Sequence, residues 1–185
     1  IESIEPHVKE FDYLSYDDRI SISHWDSNAT SAVIPEEVDG LPVKEISSDA
    51  FQYCSSLTNI IIPNTVAQIG RDTFYYCSSL TNVILPNAIT EIEGATFAHC
   101  TSLKSVTIPN SVNSISYDAF YNCESLTDVY YNGTEEEWNN ISISSSGNDT
   151  LLNATIHYNV STSDTSITGD LTGDNLVSVD DAVLT

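Results

Sequence analysis

The sequence contains no methionine and very little positive charge. Only five Lys and Arg residues stand against 27 Asp and Glu residues, and the formal net charge is −22. No basic residue follows Lys104. Nucleic acids and anionic membrane surfaces are bound through Lys and Arg. The composition therefore argues against both partners and favours calcium or a basic protein.

Several signatures of membrane proteins and enzymes are also missing. The sequence has no run of about 18 apolar residues, so we expect no membrane insertion. The four histidines lie far apart, without the close His-x-x-x-His spacing of zinc sites. Neither a Gly-x-Ser-x-Gly motif nor a glycine-rich phosphate loop occurs. We therefore predict a protein that is not an enzyme and has no catalytic residues.

What the sequence does contain is a period of 23 residues. A period of this length predicts a solenoid, in which each repeat forms one coil stacked on the previous coil. Such a fold usually presents a surface for binding and lacks an enclosed catalytic pocket. Three residue types follow the period through four coils: Phe51, Phe74, Phe97 and Phe120; Cys54, Cys77, Cys100 and Cys123; Leu57, Leu80, Leu103 and Leu126.

The cysteines share one repeat position, which places them in a single column. A column of buried, reduced thiols is the first interpretation, and disulfides between adjacent coils are the alternative. Downstream of each cysteine, the Leu-x-x-Ile-x-Ile pattern predicts a strand with Ile60 and Ile62 inside and Asn59 and Ile61 outside. The Ala-Phe-x-x-Cys segment is predicted to form one helical turn.

The ends of the chain lack the full pattern and divide it into further regions. We predict an N-terminal cap over residues 1–30, the solenoid over 31–131 and a C-terminal cap over 132–158. Two caps favour a monomer. In the second cap, Thr134 and Glu137 have the spacing of a helix capping box. Residues 159–168 are rich in Ser, Thr and Asp and are predicted to be a linker.

The last segment, residues 169–185, has the donor spacing of a calcium loop. Oxygen donors at alternating positions of a twelve-residue loop surround Ca²⁺ in EF-hand-type sites. An acidic tail with chance spacing is the alternative, and Asn175 stands where EF-hands have glycine. The predicted ligands are Asp170, Thr172, Asp174, the Leu176 carbonyl, Ser178 and Asp181.

The run Gly169-Asp170-Leu171-Thr172-Gly173-Asp174 resembles the loop of a type I dockerin, the module that attaches cellulosomal enzymes to cohesins. Dockerins have two loop-helix repeats, and the resemblance covers the first loop and the first turn of its helix. It implies calcium-dependent binding to a cohesin of a scaffoldin. It also implies that Val179 and Asp180 help to select that partner.

The four coils resemble the BspA-like leucine-rich repeat family, through the pattern Ala-Phe-x-x-Cys-x-x-Leu-x-x-Ile-x-Ile-Pro. This resemblance covers residues 31–158. It implies an α/β-type repeat solenoid with a short strand and a short helical turn in each coil. It also implies a secreted or cell-surface protein of host-associated or gut bacteria, used for adhesion or recognition.

Two outward surfaces are candidates for binding an unknown protein or glycan. The first is the strand face, whose predicted contact residues are Asn59, Ile61, Asn82, Ile84, Thr107 and Tyr130. The second is a row of tyrosines beside the Phe-Cys segments. Tyrosine can bind sugars or proteins, but it can equally shield a core phenylalanine from water.

Together these patterns predict a secreted, noncatalytic recognition protein that is attached to a cellulosome through its calcium-binding tail. One alternative is a free cell-surface adhesin whose calcium site is only structural. Another is an accessory cellulosomal component that binds or degrades carbohydrate.

The absence of catalytic motifs generates a direct prediction. Incubation with plant polysaccharides should release no reducing sugar, because no sequence motif picks out a pair of carboxylates for hydrolysis. Release of reducing sugar by the purified protein would establish the degrading alternative instead.

Overall fold

The structure is a computed structural model that describes residues 11–159. Most of its elements are short strands, because residues that alternate between a buried and an exposed side suit strands. Two short helices occur in the described part, both near its C-terminal end. The elements are β1 (Phe11–Ser15), β2 (Ile20–Trp25), β3 (Ser31–Val33), β4 (Glu37–Val38), β5 (Leu41–Ile46), β6 (Asn59–Ile61), β7 (Gln68–Ile69), β8 (Asn82–Ile84), β9 (Glu91–Ile92), β10 (Ser105–Ile108), β11 (Ser114–Ile115), β12 (Asp128–Tyr131), α1 (Glu135–Asn139), β13 (Ser142–Ile143), α2 (Asp149–Leu152) and β14 (Thr155–Tyr158).

Successive coils pair in parallel, as the 23-residue period predicts. One sheet has the strand order β14-β12-β10-β8, and a second has the order β13-β11-β9. β3 pairs with β6, while β5 pairs with both β2 and β7. In the first sheet Asn82 lies opposite Ser105, and Ser105 lies opposite Asp128. Equivalent residues therefore form columns that run along the solenoid.

A continuous column of aromatic rings fills the core. The phenylalanines of the four coils are completely buried, and adjacent rings lie 5.2–5.3 Å apart. Trp25 stacks on Phe51 at 5.1 Å and Phe11 stacks on Trp25 at the same distance. The predicted N-terminal cap is thus a hairpin of β1 and β2 that extends the core column and covers its end.

The predicted helical turn at Ala-Phe-x-x-Cys is wrong, because each of these segments is a chain of β-turns. Asp49 and Tyr53 both have left-handed backbone angles, with φ of 62°, and such residues interrupt a right-handed helix. The backbone N–H groups bond to the next coil instead: Asp49 to the Arg71 carbonyl, Phe51 to Thr73 and Tyr53 to Tyr75, at 2.8–3.1 Å.

The cysteine column consists of four free, buried thiols, as the first interpretation predicts. The Cys77, Cys100 and Cys123 thiols each donate a hydrogen bond to the phenylalanine carbonyl of the preceding coil, at 3.1–3.2 Å. Burial raises the pKa of Cys54 to about 11 and that of Cys123 to about 12. The thiols are therefore core residues and not nucleophiles.

The C-terminal end of the turn ladder is closed by side chains. The Asn148 Oδ1 atom accepts the Phe120 N–H at 3.1 Å, where a backbone carbonyl serves in earlier coils. Its Nδ2 atom donates to the Ser116 and Ser144 carbonyls. The Thr150 hydroxyl donates to the Phe120 carbonyl at 2.6 Å, in the role of the cysteine thiol.

Residues 132–158, the predicted C-terminal cap, continue the repeat structure. β13 pairs with β11, and β14 pairs with β12, so both parallel sheets continue through this region. The predicted capping box is confirmed, with reciprocal hydrogen bonds between Thr134 and Glu137 at the start of α1. The region is a divergent coil with helices in place of two turns.

The closing role of Asn148 predicts a large loss of stability for Asn148→Ala. The change leaves one N–H and two carbonyl groups without a partner at a fully buried position. We expect the free energy of unfolding to fall by about 2–4 kcal/mol, measured by urea denaturation. Asn153→Ala is the matched control, because its exposed amide makes one bond within α2, to the Asp149 carbonyl. Equal losses of unfolding free energy in the two variants would contradict the closing role of Asn148.

The buried thiols predict a loss of stability at alkaline pH. An unfolded cysteine has a pKa of about 8.5, and the folded pKa values are raised. The contribution of the buried thiols to the free energy of unfolding is therefore fully present below that pKa. It falls at higher pH, because the thiols of the unfolded chain lose protons while those of the folded protein keep them. The ultraviolet absorbance of thiolate in the folded protein should stay flat through the pH range in which urea-denatured protein titrates. Coincident titration curves would show that the column is open to water.

Candidate recognition surfaces

The outward side chains of the parallel strands form a two-column surface, here called the sheet face. The first column is mainly polar and the second begins with apolar residues and ends with aromatic ones. Strand register sets the columns within the β3–β6 pair and within the sheet from β8 to β14, and the 23-residue period relates the two parts. The columns are Ser31, Asn59, Asn82, Ser105, Asp128 and Thr155, and Val33, Ile61, Ile84, Thr107, Tyr130 and His157.

The structure places most of the predicted contact residues on this face, with one correction. Asn59 is exposed, and Ile61, Asn82, Ile84 and Tyr130 are half-buried. Thr107 was expected to be exposed, but it is only 4% accessible. It lies between the larger Ile84 and Tyr130 in the strand register, and its neighbours cover it. Ile62 differs in the opposite direction, since it was expected inside and is only partly buried.

The C-terminal end of the sheet face carries a polar cluster that the sequence analysis missed. His157 Nε2 lies 2.7 Å from Asp128 Oδ1, and the Thr127 hydroxyl donates to Asp128 Oδ2 at 2.7 Å. The Tyr130 ring stacks on His157 with centroids 4.8 Å apart. These contacts hold β14 against β12. The bonds to His157 and Thr127 keep the pKa of Asp128 below its ordinary value.

A second surface, here called the aromatic stripe, consists of Tyr53, Tyr75, Tyr76, His99 and Tyr121. Tyr76 and His99 are stacked at 4.2 Å with an interplanar angle of 13°. Tyr75 meets Tyr76 and His99 edge to face, at 4.8 and 5.5 Å. Tyr53 and Tyr121 are 58% and 50% exposed at the two ends. The rings thus form one contiguous aromatic surface across four coils.

Local backbone geometry positions the stripe. Tyr53, Tyr76 and His99 have φ of 60–63°, and their backbone N–H groups bond to the adjacent coil. Asn122 occupies the same repeat position in the fourth coil, with φ of 58°. Its Nδ2 atom lies 3.2 Å from His99 Nδ1. The hydrogen-bonded turn therefore directs the side chain at this repeat position of each coil toward the stripe.

Carboxylates lie beside the first half of the stripe. Burial raises the pKa of Tyr75, and the neighbouring Tyr76, Tyr53 and Asp72 raise it further. Burial, together with Asp49, raises the pKa of Asp72, and Arg71 opposes this shift. Within residues 11–159, no group of three or more His, Cys, Asp and Glu side chains is arranged to hold a metal.

The predicted calcium site and cohesin contacts lie outside the described residues. This holds for Asp170, Thr172, Asp174, Leu176, Ser178 and Asp181 and for Val179 and Asp180. Within the described part of the chain, neither helix is long and apolar enough to cross a membrane.

Comparison of the chain with known proteins agrees with the repeat geometry. The family described as the BspA type leucine-rich repeat region matches residues 24–167 in six copies. The chain belongs to this family. Four of its coils were evident from sequence, and the family match extends beyond them at both ends. No protein of the curated set matches the chain.

Several solved leucine-rich repeat structures are similar to the chain. The T. pallidum leucine-rich repeat protein has 29% identity and a TM-score of 0.64, and the match covers 82% of this chain and 63% of that one. A leucine-rich cell surface protein of Faecalibacterium prausnitzii has 27% identity and a TM-score of 0.64, with 76% and 43% covered. A Bacteroides capillosus protein has 31% identity and a TM-score of 0.60, with 67% and 95% covered. The chain therefore spans less than two thirds of the first two relatives.

The Asp128–His157 contact predicts a pH-dependent effect of Asp128→Asn. Both side chains are more than one third exposed, so the variant should lose under about 1 kcal/mol of unfolding free energy at pH 6. Because the folded pKa of Asp128 is lowered, this difference is present above the ordinary Asp pKa of about 3.9 and vanishes as pH falls through the folded value. Urea titrations at several pH values measure it. Glu124→Gln, a change at an exposed carboxylate of the same coil, is the control and should show no such dependence. A stability difference for Asp128→Asn that stays the same at every pH would contradict the contact.

Proposed function

We propose that the protein is a secreted or cell-surface, noncatalytic recognition protein whose tail binds a cohesin in a calcium-dependent manner. The repeats engage the ligand, and the tail attaches the repeats to a scaffold. The observation that carries the proposal is the sheet face, which continues without interruption from β8 to β14 in a single parallel register.

The composition of the sheet face supports recognition of a protein or glycan. Polar side chains in one column can hydrogen-bond a ligand, while Val33, Ile61 and Ile84 in the other give apolar contact area. Tyr130 adds an amphipathic ring of the kind enriched at interfaces. A surface of this kind binds through many weak contacts and needs no enclosed cavity. The surface location agrees with the similar Faecalibacterium prausnitzii protein, which is a cell surface protein.

The calcium-dependent attachment rests on the tail sequence. Asp170, Thr172, Asp174, Ser178 and Asp181 supply side-chain oxygens, and Leu176 supplies a carbonyl, at the loop positions that Ca²⁺ requires. The net charge of −22 also favours a cation over an anionic partner. Val179 and Asp180 would contact the cohesin.

Calorimetry against a panel of cohesins, with calcium and with chelator, tests the attachment. We expect binding to one cohesin that disappears in chelator. Asp170→Ala and Asp174→Ala should each weaken calcium binding at least tenfold, a loss of about 1.4 kcal/mol or more. Asp164→Ala in the predicted linker is the matched control and should leave binding unchanged.

Two other outcomes would replace parts of the proposal. Calcium binding without any cohesin partner would leave a surface adhesin with a structural calcium site. Retardation of the protein in gels that contain soluble glycans, abolished by Tyr130→Ala, would make the sheet face a carbohydrate-binding surface.

A further inference from the structure

The aromatic stripe is more exposed than a shield for the core would need to be. The phenylalanine rings beneath it are completely buried in all four coils. Tyr53 and Tyr121 leave half or more of their surface in water, so shielding does not account for the rings.

The stripe also places aromatic side chains at repeat positions whose left-handed backbone suits asparagine better. Tyr53, Tyr76 and His99 hold left-handed φ values, which are unfavourable for residues other than glycine and asparagine. Asn122 shows that the fold accepts asparagine at this position. Retention of strained aromatic side chains in three coils points to a role for the rings themselves.

Charge identifies the chemistry that fits the stripe. The faces of aromatic rings attract cations. Here the phenol group of Tyr75 lies within electrostatic range of the Asp72 carboxylate, which in turn lies near Asp49. The Asp49 carboxylate accepts a hydrogen bond from the side chain of Gln52, the residue next to Tyr53, at 2.9 Å. The positive neighbour of Asp72 is Arg71, whose guanidinium lies over the ring of Tyr117. The surroundings of the first half of the stripe are therefore net acidic.

The protein itself shows which cation suits its tyrosines. The sequence has two arginines, and each lies over a tyrosine ring: Arg19 over Tyr16 at 4.5 Å and Arg71 over Tyr117 at 5.3 Å. Guanidinium groups stack on aromatic rings and donate to carboxylates at the same time, which ammonium groups do less well.

We propose that the aromatic stripe binds an arginine-bearing basic segment of a partner protein, with a guanidinium group stacked on Tyr53 and directed toward Asp49 and Asp72. The inference rests on the proposed recognition function and gives it a partner class and a second surface, separate from the sheet face. A neutral glycan is the competing ligand.

Fluorescence anisotropy with labelled peptides tests the assignment on the full chain. The probes are a short oligo-arginine peptide, an oligo-lysine peptide of equal length and charge, and a neutral β-glucan oligosaccharide. We expect the arginine peptide to bind more tightly than the lysine peptide, and the oligosaccharide not to bind. Tyr53→Leu should weaken arginine binding about two- to fivefold, although the net charge is unchanged. Tyr53→Phe should retain most of the affinity.

Controls separate ring contacts from general attraction to an acidic protein. Tyr16→Leu removes an exposed tyrosine outside the stripe and should leave peptide binding unchanged. Tyr53→Asn repeats the residue found at Asn122, so it removes the ring in a side chain that this backbone accepts. It should weaken binding as Tyr53→Leu does while circular dichroism shows the native fold.

The possible results decide between the two surfaces. Equal affinity of all stripe variants and Tyr16→Leu would overturn the proposal, since binding would then be electrostatic alone. Binding of the β-glucan in place of the arginine peptide would overturn it in favour of a glycan site. Ile84→Ser on the sheet face should leave arginine binding intact; loss of arginine binding in this variant would also overturn the stripe assignment. Failure of the cohesin experiment bears only on the attachment and leaves the peptide result unaffected.

Discussion

The structure depends on the sharing of backbone hydrogen bonds between neighbouring coils. In the first three turn segments, alternate N–H groups donate to carbonyls 22 residues further along the chain, from Asp49, Phe51 and Tyr53 in the first coil. The bonds require left-handed residues at fixed places, and those places determine where side chains leave the coil. The core column and the aromatic stripe are two results of the same hydrogen-bond pattern.

This constraint explains why no coil is self-sufficient. A turn segment has few backbone partners within its own coil, and an unpaired buried group costs about 1–3 kcal/mol. The ends of the ladder must therefore be closed. Trp25 extends the ring column at one end, and Asn148 with Thr150 completes the hydrogen bonds at the other. The candidate binding surfaces therefore lie on the outside of the solenoid, because packed side chains fill its interior.

Sequence predicts the parts of the fold that repeat. Phe97 and Cys100 belong to columns evident from their spacing, and their burial follows directly. The helical turn was mispredicted because Phe and Cys three residues apart also suit a helix, and a tyrosine such as Tyr53 gives no sign of a left-handed backbone. The sequence pattern does not reveal the repeat structure of the C-terminal cap, because Asn148 and Thr150 there replace backbone and thiol groups by different chemistry. His157 was missed as a partner of Asp128 because their contact depends on the register of β12 and β14.

Native-state hydrogen exchange at the amides of the ladder tests the shared-bond constraint most directly. The account predicts that the amides of Phe51, Phe74, Phe97 and Phe120 exchange with similar, strong protection, because Asn148 supplies the last acceptor. Exchange of the Phe120 amide at the rate of an exposed turn, with the other three protected, would contradict it. The ladder would then end one coil earlier, and the surfaces built on its C-terminal part would lose their support.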